Sequence, residues 1–113
     1  FPYTTLFRSD ADTLHLFRVA PRAWFADGER IDLEGVRSYF GRIDARVRSH
    51  VGEGYIEATV TCDPERKPSR LAVRLPHPQG KKPVRVTGGR YDETTESVLI
   101  DDFDGEASIR LEY

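Results

Sequence analysis

Three histidines and one cysteine are the side chains best suited to metal ligation or nucleophilic chemistry: His15, His50, His77 and Cys62. A zinc site needs such residues at short, recurring spacings, and here each histidine stands apart from any cysteine or acid at ligand spacing. His15 lies between Leu14 and Leu16 and faces away from the core side of its strand. His50 and His77 fall near strand ends, where a solvated role is expected. Cys62 continues an inward-facing series and reads as a buried, inert thiol. A nucleophilic cysteine would need a neighbouring base and an electropositive setting, and the sequence supplies neither.

The acids cluster once, in DDFDGE (101–106). Asp102, Asp104 and Gly105 look like a fragment of a calcium loop. A complete EF-hand needs ligands across twelve positions and flanking helices, and a turn between two strands accounts for Asp and Gly equally well. The other acids are scattered, so no carboxylate pair for glycoside cleavage follows from spacing. The chain has no G-x-S-x-G, no phosphate loop and no H-E-x-x-H. No catalytic residue, metal or cofactor is therefore expected. Five aromatics fall in the first half: Trp24, Phe25, Tyr39, Phe40 and Tyr55. Exposed, they could stack on sugar rings. The favoured reading is that they pack a short helix and cap the fold, because an isolated short helix needs tertiary support.

The elements that must position these residues read mostly as strands. TLHLF (13–17), RIDARVRSHV (42–51), YIEATVTC (55–62), RLAVRL (70–75), PVRVTG (83–88), SVLIDD (97–102) and EASIRLEY (106–113) are period-two segments. Alternation of this kind marks strands with one buried and one wet face. The inward sets are Leu14 and Leu16; Ile43, Ala45 and Val47; Ile56, Ala58, Val60 and Cys62; Leu71, Val73 and Leu75; Val84 and Val86; and Ala107, Ile109, Leu111 and Tyr113. HVGEGY (50–55) reads as a tight hairpin, and GGRYDETTES (88–97) as a polar hairpin region. DPERKPS (63–69) and HPQGKKP (77–83) are proline-bounded loops. In APRAWFADGER (20–30), Pro21 opens a short helix and Gly28 ends it. The pattern implies an all-β fold: an antiparallel β-sandwich of seven to eight strands, jelly-roll or Greek-key in type, with one short helix near residues 21–27.

A chain of 113 residues fits one domain. With 38% hydrophobic and 32% charged residues it has a globular rather than a disordered composition. A net charge of −2 implies no basic face for nucleic acid and no polybasic membrane segment. No apolar run is long enough to span a bilayer, and one cysteine says little about compartment. The chain contains no methionine. Its first nine residues, FPYTTLFRS, resemble one translated reading frame of a short-read sequencing adapter at every position. Residues 1–9 are accordingly expected to be a foreign tail, hanging free or pairing along a sheet edge. Residues 10–113 are expected to be a single sandwich domain, the carboxy-terminal fragment of a larger protein.

LHLFRVAPRAWFADGERIDLEGVRSYFG (14–41) carries a further likeness. It resembles the carboxy-terminal β-sandwich domain of bacterial glycoside hydrolases and related enzymes with an (α/α)6-barrel catalytic domain. Leu14–Phe17, Pro21–Trp24, Asp27–Gly28 and Tyr39–Gly41 carry the resemblance, and the later strands are similar to that domain as well. Arg37 replaces the proline that the resemblance implies before Ser-Tyr-Phe. The resemblance implies a non-catalytic accessory domain that packs on an upstream catalytic barrel and stabilises it. The acids that cleave glycosidic bonds would lie in that barrel. Trp24, Tyr39 and Phe40 are then the candidate interface or binding residues. The competing expectations are an independent carbohydrate-binding module, with a glycan as partner, and an adhesion or interaction sandwich with no link to sugars.

Overall fold

The period-two segments assemble into two layers in a computed structural model, which describes residues 7–10, 13–18, 20–38, 41–63, 65 and 67–113, with the backbone alone for 7–10 and 37–38. The strands are β1 (Phe7–Asp10), β2 (Thr13–Leu16), β3 (Arg30–Ser38), β4 (Gly41–His50), β5 (Tyr55–Cys62), β6 (Arg70–Arg74), β7 (Arg85–Thr87), β8 (Arg90–Asp92), β9 (Ser97–Ile100) and β10 (Glu106–Glu112). They form two five-stranded sheets: sheet A in the order β1-β2-β6-β9-β8, and sheet B in the order β3-β4-β5-β10-β7. The fold is an all-β sandwich. Consecutive strands exchange sheets repeatedly, and β10 lies between β5 and β7, as Greek-key-type sandwiches require.

Two expectations need correction. The strand number exceeds seven or eight because β1, β3 and β8 join the seven alternating segments. The pairing is not wholly antiparallel, since β2 runs parallel to β6, Leu14 opposite Leu71 and Leu16 opposite Val73. That pairing joins segments more than fifty residues apart, and no local pattern announces it.

The core is the set of inward faces. Ile43, Ala45 and Val47 of β4 are at most 1% exposed, and Ile56, Val60, Leu71, Val73, Leu75 and Leu111 join them in one cluster. Each buried Val or Leu of this kind contributes about 1.5–3 kcal/mol. Phe17, Phe25 and Phe103 are fully buried too, although no strand alternation points to them. Phe17 has φ 60° and turns the chain out of β2 while its ring meets that of Phe25 edge-on at 6.3 Å. Val84, expected inside, is 81% exposed; it precedes β7, and its backbone N–H donates to Glu112 O at 2.7 Å.

The short helix is a single 3₁₀ turn, Arg22–Phe25, flanked by Pro21. It is fastened to the end of β4. The Ser49 hydroxyl donates to Phe25 O at 2.6 Å, Gly28 N–H donates to Ser49 O at 3.0 Å, and Gly52 N–H donates to the Asp27 carboxylate at 3.0 Å. Ser49 is 1% exposed, so its hydroxyl satisfies a carbonyl that water cannot reach. β3 carries a bulge. Leu33 pairs with Ala45 and Val36 with Ile43, so Glu34 and Gly35 together oppose Asp44. Gly35 has φ 63°, and its N–H donates to Asp44 Oδ1 at 2.7 Å. The extra residue shifts the phase of alternation and explains why RIDLEGVRS does not read as a strand.

Candidate functional site

The registers define what each sheet shows to solvent. On sheet B, charged side chains from neighbouring strands pair with one another. Arg48 meets Asp32 at 2.9 Å, Arg46 meets Glu34 at 3.3 Å, and Arg110 meets Glu57 at 2.6 Å. Arg110 also lies over the Tyr55 ring at 4.0 Å, and the His50 and Tyr55 ring centroids are 4.9 Å apart. This face is polar and largely self-neutralising.

Sheet A differs. The register aligns His15 with Ala72, Ala72 with Leu99, and Leu99 with Arg90, all on the face away from the core. Ala72 is 8% exposed yet outside the core cluster, so it is sunk among its outer-face neighbours. A groove of about 520 Å3 runs over this row, and Ala72 and Leu99 line it together with His15, Arg74 and Asp92. The β8–β9 turn closes one side through Thr94, Thr95 and Glu96.

A network of charges ties the groove to the end of the sandwich. The Arg22 guanidinium forms a two-pronged ion pair with Glu96, Nη1 donating to Oε2 at 2.8 Å and Nη2 to Oε1. The same Nη1 donates to His77 O at 3.0 Å. Arg74 Nη1 donates to Ala20 O at 2.6 Å. Bidentate pairing gives geometric fixity as well as attraction. The hydrogen bonds from Arg22 hold the Glu96 carboxyl below the usual carboxylate range. Glu96 has φ 54°, so the turn that presents it adopts a conformation uncommon for its residue type.

Each residue singled out in the sequence now has a place. Trp24 is half-buried, packed against the core cluster, and lies beside Glu29, Arg30 and Ile31 of the segment entering β3. Tyr39 and Phe40 lie outside the described residues. His15 is half-buried on the groove wall. Cys62 is 4% exposed, and burial, with Asp44 nearby, pushes its thiol up to about 11, which keeps it protonated and unreactive at neutral pH. Asp104 Oδ1 accepts from Glu106 N–H at 3.2 Å, the role of a turn residue. Among the described residues no three His, Cys, Asp or Glu side chains are grouped closely enough to hold a metal.

His77 departs from expectation. It is 5% exposed rather than solvated. Its Nδ1 accepts from Gln79 N–H at 3.0 Å, which places the proton of the neutral ring on Nε2. Its ring meets Tyr113 edge-on at 4.6 Å. Burial first, then Lys81 and Arg22, lowers its pKa below the ordinary histidine value. The Tyr113 hydroxyl is buried without a hydrogen-bond partner, and burial raises its pKa. The cover over His77 comes from the far end of the chain, which the proline-flanked local sequence could not signal.

The arrangement offers a groove lined by apolar and charged side chains, and a structural charge network beside it. No family model, no curated protein and no solved structure matches the chain.

Proposed function

We propose that the chain is a non-catalytic accessory domain of a carbohydrate-active, glycoside-hydrolase-like enzyme, packing on an upstream catalytic barrel and stabilising it. The observation that supports this reading is the groove on the outer face of sheet A. Both sheets pair charges across strands, Arg110 with Glu57 on sheet B and Arg90 with Asp101 on sheet A. Sheet A also presents half-buried Leu99 in the lining of that groove, where a neighbouring domain can bury apolar surface. The 3₁₀ turn bridges this groove and the β3 side of the molecule, because Arg22 reaches Glu96 while Trp24 and Ile31 line one recess on that side. Trp24 keeps its role as an interface candidate on that ground.

The groove's polar walls, His15, Arg74, Asp92 and Thr94, favour a second reading, a carbohydrate-binding module. Two measurements on the purified chain test these readings, and the second separates them. Hydrolysis of a panel of glycans would overturn the non-catalytic reading, and no hydrolysis is expected. Calorimetry against the same panel is expected to show no heat. Saturable heat that disappears in Asp92→Ala would replace docking with glycan binding.

A further inference from the structure

We propose that the groove on the outer face of sheet A binds a free α-amino acid with an apolar side chain, its carboxylate received by Arg74 and its ammonium group by Asp92. Residues opposite one another in a register lie on the same face of a sheet. Arg74 of β6 pairs with Ser97 of β9, and Ser97 pairs with Asp92 of β8. The three form one row across the outer face, a cation, a serine and an acid, and all three line the groove.

The two charges of this row have no counter-charge within the described residues. Glu96 is engaged by both prongs of Arg22, and Arg90 meets Asp101 at 3.4 Å. Arg74 donates instead to a neutral carbonyl, Ala20 O, at 2.6 Å, and Asp92 accepts from Thr94 N–H at 2.9 Å. β9 separates their strands, which sets the Arg74 and Asp92 Cα atoms about 9–10 Å apart. Ser97 between them is 7% exposed, and its hydroxyl donates to Thr95 O at 3.2 Å, so it bridges neither charge. Burial, opposed in part by Glu96, lowers the pKa of Arg74. Its guanidinium is thus partly desolvated without an acid of its own, and a carboxylate brought by a ligand would supply one.

The row selects a ligand with both charges. In an α-amino acid the ammonium nitrogen and a carboxylate oxygen lie about 3 Å apart. A hydrogen bond of about 2.8 Å at each end extends that reach to about 8–9 Å, close to the separation of the two strands. A ligand with one charge would leave either Arg74 or Asp92 unmatched. Both receiving side chains are already held, by Ala20 O and Thr94 N–H, so little ordering is needed on binding. Half-buried Leu99, on the same face two residues beyond Ser97, gives an apolar side chain a surface to cover. Arg18 adds a second cation to the lining. The site goes beyond the accessory-domain reading and does not rest on it.

The test titrates the full chain with L-phenylalanine, N-acetyl-L-phenylalanine, which lacks the ammonium group, and L-phenylalaninamide, which lacks the carboxylate. Two-dimensional NMR reads both affinity and place. L-Phenylalanine is expected to bind saturably with shifts centred on β6, β8 and β9, and each analogue to bind at least about ten-fold more weakly. Asp92→Asn, whose amide oxygen can still accept from Thr94 N–H, should weaken L-phenylalanine about ten-fold and leave the N-acetyl compound unchanged. Arg74→Gln should weaken L-phenylalanine similarly and leave the amide unchanged. No saturable binding of L-phenylalanine up to about 10 mM overturns the proposal. Equal affinity for the three compounds, or shifts confined to sheet B, overturns it too. The analogue series on the unmodified chain decides the matter should either variant not fold. None of the probes is a sugar, so failure here leaves the outcome of the glycan calorimetry untouched.

Discussion

Acidifying this protein should loosen the end of the sandwich that His77 occupies. The imidazole is 5% exposed, and its Nδ1 is committed as an acceptor to Gln79 N–H. Protonation would place a second donor against that N–H and a charge in a buried position beside Arg22 and Lys81. The folded-state pKa is therefore lowered from the ordinary value of 6.5. The stabilisation from a neutral His77 is fully present above 6.5 and is lost as pH falls from there through the folded-state pKa. Over that window one proton is taken up on unfolding, so His77 alone removes up to about 1.4 kcal/mol per pH unit. Glu96, whose carboxyl is held low by Arg22, acts in a separate window below its ordinary value of 4.5. The assay is urea unfolding at about pH 7.5, 6.5 and 5.5 for the wild-type chain and for His77→Gln, whose amide oxygen can still accept from the loop. His15 and His50 are common to both proteins, so the difference in slope belongs to His77. The wild type should lose stability more steeply on acidification. Parallel decline of the two proteins between about pH 7.5 and 5.5 would refute the reasoning.

Three further outcomes follow from the packing. Cys62 should resist thiol reagents in the native state and react promptly in denaturant, and Cys62→Ser should lower stability by about 1–3 kcal/mol through a buried, poorly paired hydroxyl. Ser49→Ala leaves the Phe25 carbonyl unsatisfied in a buried place, so denaturant unfolding should report a loss of about 1–3 kcal/mol, with the Arg22–Phe25 turn gaining the most in hydrogen exchange. Gly88→Ala places a methyl group against the backbone of Ser108 at φ 94°; a melting curve should show a loss of at least about 1–2 kcal/mol, and an unchanged midpoint would contradict the β7–β10 register.

How far the sequence reveals this fold depends on the element. β4, β5 and β10 are legible because Ile43, Ala45, Val47, Ile56, Ala58, Val60, Ile109 and Leu111 alternate without interruption and are all buried. β3 is obscured by one inserted residue at the bulge, after which the apolar positions Leu33 and Val36 fall out of phase. β8, Arg90–Asp92, is too short and too polar to carry a period. Phe17 runs against the alternation of TLHLF, because β2 ends at Leu16, and Phe103 lies outside any strand; only tertiary closure shows that both are core. The site was less legible than the fold. His15, flanked by Leu14 and Leu16, lies off the core as the alternation implies, and Trp24 packs the 3₁₀ turn against the core cluster. The groove itself joins β2, β6, β8 and β9, and the parallel β2–β6 pairing that creates it leaves no mark in local spacing. Arg22 and Glu96 are 74 residues apart, so neither could be matched to the other in advance.

If the sandwich serves a catalytic barrel in the same polypeptide, as proposed, the gene encodes that barrel ahead of this domain. Sequencing the genomic locus upstream of the domain decides between the outcomes. An in-frame segment encoding the paired helices of an (α/α)6 barrel, with acidic residues suited to glycosidic cleavage, is expected. An upstream frame with no such helical repeat would contradict the proposal.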